Sequence, residues 1–280
     1  ENITVSIEMN LLYLGDIMGK SGRKAVIDHV PDLRTQLDLH FVVACGENAA
    51  HGFGITVKIC EALFDAGVDV ITTGNHAWDQ REIIDYIPTE PRLLRPINYP
   101  DGTPGLGSGL YPTQDGRRVA VCQVMGRLFM PPIDDPFRGL ETFLASTQLG
   151  RDADAIVIDI HGEATSEKTA LGCISDGRAS LAVGSHSHIP TADTRIMPAG
   201  TGFQTDAGMC GPYDSVIGMD AGIAVRRFVN SLPGERLEPA TGPSTVCGVV
   251  VQTDDVTGLA EHVYPLRVGG ELVPSLPPGP

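Results

Sequence analysis

The sequence predicts an α/β sandwich with mixed sheets in one domain, and three observations predict it. Short β-like runs alternate with helical stretches as far as Thr201, the pattern of strand-helix units stacked in layers. Several of these runs are apolar at every position, as strands covered on both faces are. Beyond Thr201 the helical periodicity fades while strand-like runs continue, which adds antiparallel strands to the sheets. With 280 residues, 42% of them hydrophobic and 20% charged, the chain has enough apolar material for a sizeable core.

The elements follow in order. Leu11-Leu12-Tyr13-Leu14 reads as a strand. Residues 22–37 read as a helix, with Ala25, Val26, Val30, Leu33 and Leu37 on one face and Ser21 as N-cap. Residues 41–45 form a buried strand, and residues 56–66 a helix capped by Thr56 and stopped by Gly67. A strand over 68–72 precedes a short helix over 79–87, closed before Pro88. Residues 89–116, rich in Pro and Gly, read as loops with a short strand at Leu110-Tyr111. Then come a strand over 118–125, a helix over 136–149, a strand over 155–160, a helix over 163–173 and a strand over 179–183. A last helix is expected over 223–228, with antiparallel strands over 246–252 and 259–263. Met9 reads as the natural start, with residues 1–8 an extension, residues 9–272 the single domain, and the Pro-rich stretch 273–280 a flexible tail.

The formal charge of −15 argues against a duplex nucleic-acid partner, which needs a basic face to displace phosphate counterions. A small anionic substrate remains compatible, because bound cations invert the local field. Cys45, Cys60, Cys122, Cys173, Cys210 and Cys247 form no C-x-x-C pair and mostly sit in apolar runs, which fits a reduced, cytoplasmic setting. No apolar stretch approaches the roughly 18 residues of a membrane span, so no membrane partner is expected. A homo-oligomer is compatible with the sequence.

The chemistry sits where strands end. Leu14-Gly15 leads to Asp16, Cys45-Gly46 to Glu47-Asn48, Thr73-Gly74 to Asn75-His76, Asp159-Ile160 to His161, and Val183-Gly184 to Ser185-His186-Ser187-His188. In layered α/β folds ligands bind beyond the carboxyl ends of strands. Mixed oxygen and nitrogen donors without thiolate suit manganese, iron or zinc. The donors exceed what one tetrahedral ion takes and suffice for two ions sharing a carboxylate, about 3.5–4 Å apart. Taken singly, the residues have other readings. Asp16 serves equally as a helix N-cap, Glu47, Asn48 and Asn75 as turn residues, and His161 as a buried structural histidine. His186 and His188, one residue apart, put both rings on one side of an extended chain, a spacing more often metal-binding than not.

Two lookalikes are excluded. Gly15 to Ser21 resembles a phosphate loop but has three residues between its glycines where four are needed, and Asp16 would place a negative charge in the cradle. Ile189-Pro190 after His188 breaks the H-x-H-x-D-H pattern of metallo-β-lactamases. Trp78 favours packing over substrate stacking, and Arg92, Arg95 and Arg127 serve either phosphate or structural ion pairs.

Asp16, Gly74-Asn75-His76, His161 and Gly184-x-His186-x-His188 resemble the signature of calcineurin-like metallophosphoesterases. The strings Gly46-Glu47-Asn48-Ala49-Ala50, Thr72-Thr73-Gly74-Asn75-His76-x-Trp78-Asp79, Arg92-Leu93-Leu94-Arg95-Pro96-x-Asn98-Tyr99-Pro100, Ala164-Thr165-Ser166-Glu167-Lys168 and Gly211-Pro212-Tyr213-Asp214-Ser215-Val216-Ile217-Gly218 resemble its bacterial YmdB-like subfamily over residues 9–263. The resemblance implies a four-layer α/β/β/α sandwich with two mixed β-sheets. It implies a dinuclear phosphodiesterase that hydrolyses 2′,3′-cyclic nucleotides or similar small phosphodiesters by attack of a metal-bridging hydroxide. The sequence departs from the wider superfamily where Met18 replaces the histidine of the usual Asp-x-His and Glu47-Asn48 replaces a bridging aspartate. The resemblance gives one metal Asp16, Glu47, Asn48 and His188, and the other Glu47, Asn75, His161 and His186. It sets His76 apart as the group facing the leaving oxygen. A phosphomonoesterase of the same fold, or a metal-bound regulatory protein without turnover, are the alternatives.

Overall fold

The computed structural model describes residues 8–230 and 234–278. Its elements run β1 (Met9–Leu14), β2 (Asp16–Ile17), α1 (Gly19–Gln36), β3 (Leu39–Cys45), α2 (Val57–Asp65), β4 (Val70–Thr72), α3 (Ile83–Tyr86), β5 (Leu93–Leu94), β6 (Ser108–Pro112) and β7 (Arg118–Met125). They continue with α4 (Pro136–Ser146), β8 (Ala155–His161), α5 (Thr165–Ser175), β9 (Leu181–Ser185), β10 (Arg195–Ile196), β11 (Gly202–Gln204), β12 (Met209–Cys210), α6 (Ala221–Asn230), β13 (Val246–Thr253) and β14 (Ala260–Val268).

One six-stranded sheet has the order β14-β13-β1-β3-β4-β5, the other β10-β11-β9-β8-β7-β6, and β12 pairs with β2 in a small third. Strands β1, β3, β4 and β5 are mutually parallel, as are β7, β8, β9 and β11, while β13, β14, β6 and β10 are antiparallel neighbours. Both sheets are therefore mixed, as the sequence predicted.

Side-chain alternation explains the layers. Along β1, Leu11 and Tyr13 enter the core between the sheets, where they join Phe41, Val43, Val121, Val157 and Val183. Leu12 and Leu14 point the other way, onto Val26, Val30 and Leu33 of α1 and Leu63 of α2. A third core packs Leu140 and Phe143 of α4 and Leu171 of α5 on the outer face of the second sheet. The result is the expected α/β/β/α sandwich. Among the described residues no helix is long and apolar enough to cross a membrane.

Several boundaries differ from the sequence reading. Helix α1 starts at Gly19, so Ser21 lies within its first turn; Met18 is the N-cap and makes no side-chain cap bond. The start is set instead by tertiary pairing, with Met18 N–H donating to Cys210 O at 2.9 Å. Thr56 does cap α2, its side chain accepting from Ile59 N–H. Helix α3 is confined to Ile83–Tyr86, and α5 begins at Thr165. The expected N-terminal extension is residues 1–8, of which residues 1–7 lie outside the described residues. From Val273 the chain runs beside β14, where Arg267 and Ser275 exchange two backbone hydrogen bonds; residues 279–280 lie outside the described residues.

Candidate metal centre

The parallel strands of both sheets end at one edge of the sandwich, and their C-termini deliver the predicted donors to one place. Asp16, Glu47, Asn48, His161 and His188 are all buried there, and Asn75, His76 and His186 are partly buried. The donors divide into two groups. In one, His188 Nε2 lies 3.1 Å from Asn48 Oδ1 and 3.9 Å from Asp16 Oδ1. In the other, His161 Nε2 lies 3.0 Å from Asn75 Oδ1 and 3.2 Å from Glu47 Oε1, and His186 Nδ1 lies 3.9 Å from Glu47 Oε1.

His188, His161 and Asn48 are aimed from behind, as metal-ligating side chains usually are. His188 Nδ1 lies 2.7 Å from the carbonyl of Ile217, so it carries the proton and Nε2 turns its lone pair inward. His161 Nδ1 lies 2.8 Å from Ser185 Oγ, which itself donates to Asp159 Oδ1 at 2.7 Å. Asn48 Nδ2 donates to Gly52 O, leaving Oδ1 to face the centre. The loop carrying His186 and His188 is tied down by a buried charge: Lys168 Nζ donates to Ser185 O and to Asp206 Oδ2, and Asp206 also accepts from Ser187 N–H and Oγ–H.

The backbone here departs from the extended chain expected. His186 has φ 93° and His188 φ 67°, both in the left-handed region. Their rings therefore do not share a strand face; His186 turns toward Glu47 and His161, and His188 toward Asp16 and Asn48. Non-glycine residues held at positive φ cost about 1–3 kcal/mol each and cluster at functional sites.

Two features show that the donors fit a cation. Glu47 Oε1 and His186 Nδ1 are buried, face each other, and make no hydrogen bond. Such orphaned atoms cost free energy unless something pairs them. The donor atoms of Glu47, His161 and His186 also lie within 4.8 Å of one another. Burial works against a charged His161 ring, but the Glu47 carboxylate beside it outweighs burial and pushes His161 up to about 9. Burial would likewise raise Glu47, but the facing imidazoles hold it well below the usual carboxylate range.

The structure also resolves the open residues. Met18 lines the cleft beside the donors and packs with Met209 and Met219 and with Phe53, Tyr213 and Leu237. Arg92 pairs with Glu90, Arg95 donates to the carbonyls of Pro96, Thr103 and Pro104, and Arg127 lies 3.8 Å from Asp135. Trp78 packs on the α1/α2 core and edge-on to Tyr99. His76 lies in a cleft of about 330 Å³ over the donors, its Nδ1 2.7 Å from Asp79 Oδ2 and its ring edge-on to Phe53.

Sequence reasoning missed three residues here. Cys45, read as a core hydrophobe, donates to Asp16 Oδ1 at 3.3 Å, and burial pushes its thiol well above the ordinary range. Glu163 Oε2 lies 3.3 Å from His186 Nε2. Asp79 backs His76. Only the short spacing from His161 to Glu163 and from His76 to Asp79 pointed to the latter two.

Comparison with known proteins finds relatives that cover nearly the whole chain. The model of the YmdB-like protein family matches residues 12–266. The chain is 48% identical over 263 residues to a 2′,3′-cyclic-nucleotide 2′-phosphodiesterase of Bacillus subtilis, covering 94% of this chain and 98% of that one. A hypothetical protein of Thermus thermophilus superposes with a TM-score of 0.87 at 39% identity, covering 94% of this chain and 100% of the other. A Mycoplasma pneumoniae phosphatase superposes with a TM-score of 0.86 at 30% identity, covering 94% of each.

Proposed function

The chain belongs to the YmdB-like protein family, and from that premise we propose that it is a metal-dependent phosphodiesterase acting on 2′,3′-cyclic nucleotides. The observation that carries this reading is the convergence of the donors around two orphaned atoms, Glu47 Oε1 and His186 Nδ1, at the floor of a cleft. Two divalent ions, manganese, iron or zinc, would be held by Asp16, Asn48 and His188 on one side and by Asn75, His161 and His186 on the other, with Glu47 between. Such ions lower the pKa of water toward about 7 and neutralise charge on a phosphoryl group.

The chain's own residues supply the rest. Ile217 O and Ser185 Oγ fix the tautomers of His188 and His161. His76 lines the cleft, and Asp79 engages its Nδ1, which leaves Nε2 to give a proton to the leaving oxygen. Water adds to phosphorus and gives up one proton, the P–O2′ bond breaks as O2′ takes a proton from His76, the water's proton restores the His76 imidazolium, and a nucleoside 3′-phosphate results.

The cleft also favours a diester over a monoester. No Lys or Arg is among the described residues that line it, and Glu163 adds a carboxylate. A dianionic monoester gains most from a bidentate guanidinium, and none is among the described residues of the lining. The test is a substrate panel with manganese-loaded protein. Turnover of 2′,3′-cyclic AMP well above that of p-nitrophenyl phosphate supports the reading; a reversed preference, or no turnover of any cyclic nucleotide, refutes it.

A further inference from the structure

An apolar groove of about 320 Å³ adjoins the cleft, and the two share Ile217, Met219 and Leu237 as a common wall. The far side of the groove is the face of α6 that carries Ala224 and Phe228, with Arg227 at its rim. Phe228 is 80% exposed, although it sits on a helix of the folded domain. Large aromatic side chains seldom stay this open beside an apolar cavity unless they meet a partner.

Ile217 adds an independent observation. Val216 and Met219 exchange two backbone hydrogen bonds, at 2.9 and 3.0 Å, around Ile217 and Gly218. Both central residues have positive φ, 47° and 92°, the pattern of a type I′ turn. That turn favours Asn-Gly, and a β-branched residue at its first central position is strained. Strain of this kind persists where the side chain has a use. The carbonyl of Ile217 holds His188, a task any residue's backbone performs, so the use of the isoleucine lies in its side chain. That side chain is 51% exposed and stands between cleft and groove.

We propose that the groove is the nucleobase subsite of this enzyme, with Ile217 and Phe228 as its specificity-determining contacts. The proposal rests on the phosphodiesterase reading above. A substrate with its phosphate over the donors would place its base across Ile217 in the adjoining groove. Base faces pack on apolar and aromatic side chains whatever the base, and apart from Arg227 the lining offers no side-chain partner for a base edge. The subsite therefore selects for the presence of a base and discriminates little between bases.

The test compares KM for 2′,3′-cyclic AMP with KM for glycerol 1,2-cyclic phosphate, the same five-membered phosphodiester without a base. Phe228→Ala is expected to raise the nucleotide KM about ten-fold, within the range of stacking losses, and to shift the base-free KM far less. Ile217→Asn should raise the melting temperature, because Asn suits the turn. Equal shifts for both substrates, or none for either, would overturn the subsite while leaving the phosphodiesterase reading intact. Failure of the wild-type protein to hydrolyse either substrate would overturn both.

Discussion

Gly74 shows how single residues fix this centre. A Cβ at this position would overlap Glu47 Oε2 and His161 Nε2, so the glycine lets β4 deliver Asn75 and His76 into a space already taken by donors. Gly74→Ala is expected to lower metal content and to cut kcat/KM about 10²-fold, as small displacements at reacting centres do, with little change in far-ultraviolet circular dichroism. His76→Ala should behave differently. Metal content should stay at the wild-type level while kcat falls about 10²–10⁴-fold, the usual worth of a general acid. Parallel metal analysis and initial rates separate the two. At this scale the donors were legible because Asn and His have little reason to end an apolar strand. The split of His186 and His188 between two groups was not, because it depends on left-handed backbone at both residues. Nor was the place of Met18, whose neighbours Met209 and Met219 lie far along the chain.

Among the elements, long strands and amphipathic helices were legible and short pairings were not. The runs that became β1, β3, β7, β8 and β9 announce themselves by continuous apolar character, and Thr56 and Gly67 bracket α2. Strand β2 has only Asp16 and Ile17, and its partners are Met209 and Cys210. No local pattern encodes a pairing across such a separation, yet it decides where α1 begins and how Asp16 is presented. The loop after β9 depends on another distant pair. Lys168 on α5 is 2% exposed and Asp206 is fully buried, and together they hold Ser185 and Ser187. Lys168→Met should destabilise the fold by about 3–5 kcal/mol, because it leaves a buried carboxylate uncompensated. Urea denaturation of the metal-free protein checks this; a loss under about 1 kcal/mol, the worth of an exposed pair, would show that the pair is not truly buried.

For the whole molecule, the two sheets act as a clamp. Glu47, Asn48 and Asn75 follow strands of the first sheet, Asp16 lies on the small β2/β12 pair just beyond β1, and His161, His186 and His188 come from the second sheet. Metal binding at the proposed site would therefore join the two halves of the sandwich and favour the native state over the unfolded chain. At free metal about 1,000 times Kd this linkage is worth about 4 kcal/mol, and for a domain of this size that corresponds to a rise of about 10 °C in melting temperature. Chelation should reverse it, and Glu47→Gln should abolish most of the rise. The strongly acidic chain, at −15, should gain further from any cation it retains. Titrating metal-stripped protein with manganese while following 2′,3′-cyclic AMP turnover decides whether two metals held by this clamp drive phosphodiester hydrolysis. Activity should be absent at the start and saturate at two equivalents. Full activity without metal, or a plateau at one equivalent, would contradict it.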